Sequence, residues 1–417
     1  MARKPTTFDP VALEFLKEFV KRKVNLPCTS FSHIQQLTES IRLTTGEFLS
    51  LQTLNRLFGI IPNGFNPSLN TLDTLARYAG FGAFSDIEAI ADNKSYIGKE
   101  NNDLYKILNS LFGNTEVSAV EEPGIFLVIE NLYSLIQKDL VFSKLIFAQM
   151  ARIPLGRKYF FEQLVYVDQL AGSYGDALPV CLLYANDREQ TFFILTMFCY
   201  KYFLMDDSLL FNNYFQILIN YPHSEVMKFR PHIIDRYYAV LVLNEVYGNR
   251  NPGPDAAETL NSIPELDYFS SPPGYHHHTR FLLGEALLLA GQFGKAYEIL
   301  NNTSLKIDYK GKMDKMYYET SIAVYKLVSG YFSHQINSQR AKSICHQLLD
   351  APMPLLAADF LNLMLMCLLM QLEIKSTAKK ICRDKIEVLV NKTKFTSFYT
   401  FLSLCGEECN TKKINGY

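Results

Sequence analysis

The chain has 417 residues, 48% of them hydrophobic and 20% charged, with a formal net charge of -1. These values suit a globular chain of two or three domains and exclude a disordered tail, a collagen or a small disulfide scaffold. Apolar residues recur at helical spacing almost throughout and no β-hairpin signal appears, so we expect an all-α protein.

Arg3 and Lys4 are followed by no apolar run, which predicts no secretory signal and a cytoplasmic chain. Asp9-Pro10 opens a first helix with Ala12, Phe15, Leu16 and Phe19 as its stripe. Ser32 with Gln35 reads as a capping box for a second helix, striped by Ile34, Leu37 and Ile41 and ending near Thr45-Gly46. Ser50 caps a third, brief helix from Leu51 to Phe58, and Gly59 ends it. Pro67-Ser68 starts a fourth with Leu69, Leu72, Leu75 and Ala76 buried and Gly80 at its end, and Ser85 with Glu88 starts a fifth. These helices define a first domain, residues 1–92.

Residues 93–124 are polar and interrupted and read as a linker carrying one helix around Asp103 to Phe112. From Ile125 to the end, residues 125–417, long helices separated by short Gly, Pro or Asn breaks suggest stacked helical hairpins. Phe160 to Ala171 and Gln190 to Leu204 are expected helices, as are Lys312 to Gly330, Ser338 to Leu349, Leu355 to Leu372 and Ser376 to Val390. Leu355 to Leu372 is the most apolar stretch, but Asp359, Asn362 and Gln371 make it a buried core helix rather than a membrane span. The eight cysteines lie among apolar neighbours and read as reduced, packed thiols.

Within the run Phe281 to Ala296, Gly284 and Ala296 stand where two helices would cross and Gly291-Gln292-Phe293 makes the turn. This resembles a tetratricopeptide repeat, with a small residue in the first helix, a Gly-x-aromatic turn and an Ala twelve residues after the first small one. The later pairs keep the hairpin rhythm without the signature, so the expected architecture is an α-solenoid of degenerate repeats.

A second resemblance carries most of the functional expectation. Ser50, Thr53-Leu54, Gly59, Pro67-Ser68, Thr71-Leu72 and Leu75-Ala76 stand in the order of the lambda-repressor-like helix-turn-helix family, over about residues 32 to 81. The five-residue connection Thr45 to Leu49 is longer than the compact turn of that family. With Leu51, Leu54, Leu57 and Phe58 packed inward, Gln52, Thr53, Asn55 and Arg56 would face outward on a helix short enough for a major groove. Arg can grip guanine and Gln or Asn adenine, Thr can meet a thymine methyl or a phosphate, and Ser50 suits a phosphate at the helix start.

Residues 1–92 nevertheless hold nine Lys or Arg (Arg3, Lys4, Lys17, Lys21, Arg22, Lys23, Arg42, Arg56, Arg77) against nine Asp or Glu (Asp9, Glu14, Glu18, Glu39, Glu47, Asp73, Asp86, Glu88, Asp92). Duplex affinity comes largely from phosphate neutralisation, so a neutral domain must gather its cations on one face or bind as a dimer. Lys17, Lys21, Arg22 and Lys23 are candidates for such a patch, and equally for the solvated face of an ordinary helix.

No nucleotide-binding or nucleophile-elbow motif is present, so we expect no enzyme and no cofactor. His276-His277-His278 reads as a polar loop, and Cys405 with Cys409 as packed thiols rather than metal ligands. Together the two resemblances imply a DNA-binding transcription regulator whose repeats dimerise it and hold a peptide or small-molecule effector. Tyr200, Tyr202, Asn212, Asn213, Tyr237, Tyr238 and Asn244 could line such a groove, although Tyr at helical spacing usually serves packing. A protein-interaction scaffold, with a degenerate helix-turn-helix used for docking, remains the other class of function.

Overall fold

The computed structural model describes residues 8–61, 67–97, 102–113, 116–117, 122–247, 281–302 and 311–406, and among these every regular element is helical. His276 to His278 and Cys409 lie outside the described residues. The seven described cysteines are free and buried, and no described helix is long and apolar enough to cross a membrane.

Five helices come first: α1 (Pro10–Val24), α2 (Phe31–Thr45), α3 (Leu51–Leu57), α4 (Leu69–Ala79) and α5 (Phe84–Ile97). Local chemistry explains most of their ends. The Asp9 carboxylate accepts from Val11 N at 2.9 Å with Pro10 in the first turn, and Ser68 Oγ accepts from Thr71 N at 3.3 Å. The cap of helix α2 lies two residues earlier than expected: Ser30, not Ser32, caps it by accepting from His33 N. Gly46 ends α2 at φ 72°, where a side chain would be strained. Helix α5 starts at Phe84 rather than at a Ser85 cap, since Phe84 N donates to Asp73 of α4 at 2.8 Å. Leu69, expected inside, is exposed in the first turn of α4. Helix α1 packs on α4 and α5, and α2 on α3 and α4, around Leu16, Ile34, Leu37, Leu54, Leu72 and Leu75.

Next come α6 (Asn102–Phe112), α7 (Glu122–Ile136), α8 (Leu140–Met150) and the short α9 (Pro154–Gly156). Helix α6 buries Leu108 and Phe112, the latter edge-on to Phe160 at 5.7 Å. The regular helix expected over Phe160 to Ala171 is instead a π-helical segment, Arg157–Gln163, and a 3-10 turn, Val167–Gln169. Tyr159, Phe160 and Phe161 are all buried on this segment.

The rest runs through α10 (Ser173–Asp176), α11 (Leu178–Leu183), α12 (Arg188–Leu204), α13 (Ser208–Ile219), α14 (His223–Val226) and α15 (Pro231–Val246). It continues with α16 (Phe281–Leu289), α17 (Phe293–Asn302), α18 (Lys312–Phe332), α19 (Ser338–Asp350), α20 (Ala358–Leu372), α21 (Ser376–Thr393) and α22 (Ser397–Leu404). Successive helices pack on one another from α15 to α21, as hairpins would. Helix α20 is buried along most of its length, as expected. The late helices also return to earlier ones: Asp168 accepts from Asp359 N and Phe360 N, both at 2.9 Å, and Thr396 donates to Met205 O at 2.5 Å. These ties are longer in range than the neighbour contacts of a regular repeat array.

At the α16–α17 hairpin, Gly291 adopts φ +74° in the turn, and a Cβ on Gly284 would lie 2.6 Å from Leu300. Gly284→Ala is therefore expected to destabilise the protein by about 1–3 kcal/mol, read by urea unfolding. An unchanged midpoint would show that the crossing opens at no cost.

Candidate nucleic-acid interface

Helix α3 is positioned by three restraints. Ser50 Oγ caps it, accepting from Thr53 N at 3.1 Å and lying 2.8 Å from Thr53 Oγ1. Leu54 and Leu57 are buried against the bundle. The connection from α2 is braced by Glu47, which accepts from Thr74 and Arg77 of α4, each at 2.5 Å. Sequence reading did not single out Glu47 or Arg77, because the pairing spans 30 residues and has no local signature.

The outward face differs from expectation in two places. Asn55, expected outside, is 3% exposed, and Leu51, expected inside, is 44% exposed. The cause is the chain after α3, which folds back so that Ile60 N and Ile61 N both donate to Asn55 O, at 2.9 and 3.2 Å. The Asn55 side-chain amide meanwhile donates to Leu51 O at 2.7 Å. Asn55 therefore supports the helix end and is not placed to read a base. Gln52 is exposed, Thr53 and Arg56 are half-buried, and Ser50 is exposed at the cap. Gln52 and Arg56 stand one turn apart and share a side of α3.

The cations are less concentrated than a phosphate-binding face requires. Lys17 pairs with Glu14 at 2.7 Å and Lys21 with Glu18 at 2.8 Å. Arg42 pairs with Glu39 at 2.6 Å and Arg77 with Glu47. The hydrogen bond and charge of Lys21 hold the Glu18 carboxyl below its ordinary pKa, and Arg42 does the same to Glu39. Among the described residues, Arg22, Lys23 and Arg56 form no ion pair; the first two are exposed in the last turn of α1, where the helix dipole favours cations. Leu43, Phe48 and Leu51, near the α2–α3 connection in the chain, are exposed apolar side chains.

No family model, curated protein or solved structure matches the chain. Among the described residues no group of His, Cys, Asp and Glu could hold a metal ion.

The bundle is fixed to the rest of the protein through α5. The buried Asp86 carboxylate accepts from Gly82 N, Ala83 N and the hydroxyls of Tyr202 and Tyr214, at 3.1, 3.0, 3.1 and 2.5 Å. Asn213 donates to Gly82 O at 3.1 Å, and a Cβ on Gly82 would strike the Tyr214 ring. Tyr202 and Asn213, expected as groove-lining groups, instead hold this junction, and Tyr200 is buried against Glu285.

Proposed function

We propose that the chain is a sequence-specific DNA-binding transcriptional regulator. In this reading α2 and α3 are the helix-turn-helix, the bundle is the DNA-binding domain, and tetratricopeptide-like helices of residues 125–417 dimerise the protein and sense an effector. The observation that carries it is the exposed Gln52 and half-buried Arg56 on one side of a short, capped helix whose packing and entry are fixed by Leu54, Leu57 and Glu47. A short helix with two such side chains one turn apart suits adenine and guanine edges in a major groove. Arg22 and Lys23 are the candidate phosphate contacts, whereas Lys17 and Lys21 would first have to leave their carboxylate partners.

The paired cations make a dimer necessary for useful affinity, since two weak half-site contacts add. Movement of the repeats would reach α3 through α5, because Asp86 ties the bundle to α12 and α13.

Selection of duplexes from a random pool at about 100 mM salt tests this reading. A shared motif is expected with the wild type and its loss with Gln52→Ala/Arg56→Ala; Arg56→Ala alone is expected to cost about 1–3 kcal/mol of specific binding. Absence of enrichment, with or without cell extract as a source of effector, overturns it in favour of protein docking. Exposed Leu43, Phe48 and Leu51 are the specific observation behind that second reading.

A further inference from the structure

Helices α19 and α21 both pack on α20 and leave a groove between them with a free volume of about 730 Å³. Met366 and Leu369 line it from α20, and Ile381 and Val388 from α21. Ile381 and Val388 are 57% and 67% exposed and stand seven residues apart, two turns along one side of the helix. Exposed aliphatic side chains in one groove are the mark of a surface that a partner covers.

The charges in the groove say what kind of partner fits. Each wall carries one acidic and one basic group, Asp384 and Lys385 on α21 and Asp350 and His346 on α19. A polyanion, or a peptide of one charge sign, would meet a repelling group beside every attracting one. A partner with the same mixture is required, and a second copy of the chain supplies it. Asp384 and Lys385 lie midway between Ile381 and Val388 in the sequence. A two-fold axis between positions 384 and 385 therefore sets two α21 helices antiparallel with every pair matched: Ile381 of each copy faces Val388 of the other, and Asp384 of each faces Lys385 of the other. Among the described residues neither Asp384 nor Lys385 is held in an ion pair, whereas Lys392, further along this side of α21, is already paired with Asp359 at 2.6 Å.

We propose that the groove over α20 is the self-association surface of the chain, a two-fold contact of antiparallel α21 helices. Ile381 and Val388 form its apolar centre, and the Asp384–Lys385 pairs across the axis fix its register. This names the dimer contact of the proposed regulator and rests on that reading for its purpose.

Sedimentation velocity of the full chain without DNA, at about 20 µM protein and about 100 mM salt, tests the contact. The wild type is expected to be a dimer. Asp384→Lys sets Lys against Lys385 twice and Lys385→Asp sets Asp against Asp384 twice, so each variant is expected to dissociate at least about tenfold more readily, with unchanged helical circular dichroism. Mixed in equal amounts, the two variants regain opposite charges at both positions. They are expected to form a one-to-one heterodimer, identified by native mass spectrometry with one variant labelled with ¹⁵N. A monomeric wild type overturns the proposal and leaves the groove to a different protein. A dimer that both single variants retain, or a mixture that does not pair, moves self-association to another surface and overturns it equally. Heterodimer formation alongside a failed duplex selection would keep this contact and remove the DNA-binding reading, whereas a selected motif alongside charge-insensitive dimers would do the reverse.

Discussion

Asp86→Ala is expected to lower unfolding stability by about 3–5 kcal/mol, because it leaves several buried donors without their acceptor at once. Those donors are Gly82 N and Ala83 N at the start of α5 and the hydroxyls of Tyr202 and Tyr214 on α12 and α13. Water can enter a cavity of this kind only where the bundle lifts from those helices, so separation of the two parts accompanies the loss. Urea unfolding followed both by far-ultraviolet circular dichroism and by limited proteolysis checks this. The variant should show earlier cleavage between the bundle and α12, and coincident wild-type curves would remove Asp86 as the tie. Asp86→Asn, which retains one acceptor oxygen, should lose less. Under the DNA-binding reading the same variant should also uncouple any effector response from duplex binding, since it severs the described route from the repeats to α3.

The second large effect is a dependence on pH. Burial, reinforced by the neighbouring Asp359 carboxylate, pushes the Asp168 pKa up to about 7 from an ordinary 3.8. The Asp359 and Phe360 N–H groups and Lys392 act in the opposite direction, with Lys392 itself paired to Asp359 at 2.6 Å. Tyr166, whose own pKa is raised to about 12, and Tyr317 also feel the Asp168 charge. The folded state thus holds a proton that the unfolded chain has released between about pH 4 and 7. Its stabilising contribution is complete below about pH 4 and is lost as pH rises through about 7. One proton over three pH units corresponds to at most about 4 kcal/mol. Unfolding free energies measured at pH 5 and pH 8 should therefore fall for the wild type, and Asp168→Asn should flatten that fall. Parallel profiles for the two proteins would assign the pH dependence to other groups. The contact lies where α20 returns to the 3-10 turn, which places this pH dependence at the closure of the late helices on the early ones.

Much of the helix pattern was legible in the residues because its causes are local. The Asp9 cap, the Gly46 terminus, the Ser50 and Ser68 caps and the Gly291 turn each depend on neighbours within a few positions. The apolar spacing of α12, α18, α20 and α21 likewise marked their extents to within a few residues. The misplacements have physical causes of a different kind. Ser30 and Ser32 are both capable caps, and the choice depends on how α2 seats Ile34 and Leu37 in the bundle. The regular helix expected near Phe160 is a π-helical segment, whereas α12 buries an equally unbroken apolar run in a regular helix, so the local pattern does not separate the two.

On the candidate interface, the position, cap and length of α3 followed from the order Ser50 to Gly59, and Gln52 was correctly placed outside. Asn55 was not, because helical spacing gives an angle around the axis but cannot anticipate the strand of chain that covers it after Gly59. The sequence by itself determined an all-helical chain, the extents of most helices and the short capped α3, since these depend on backbone geometry and nearby side chains. Only the tertiary structure decided which polar groups are enclosed. Asp86 meets Tyr214 across 128 residues, Asp168 meets Phe360 across 192, and the surroundings that leave Arg236 buried are assembled from α12, α15, α16 and α18. Enclosure of a charge depends on where distant chain segments meet, and that is set by packing of the whole core rather than by any local pattern.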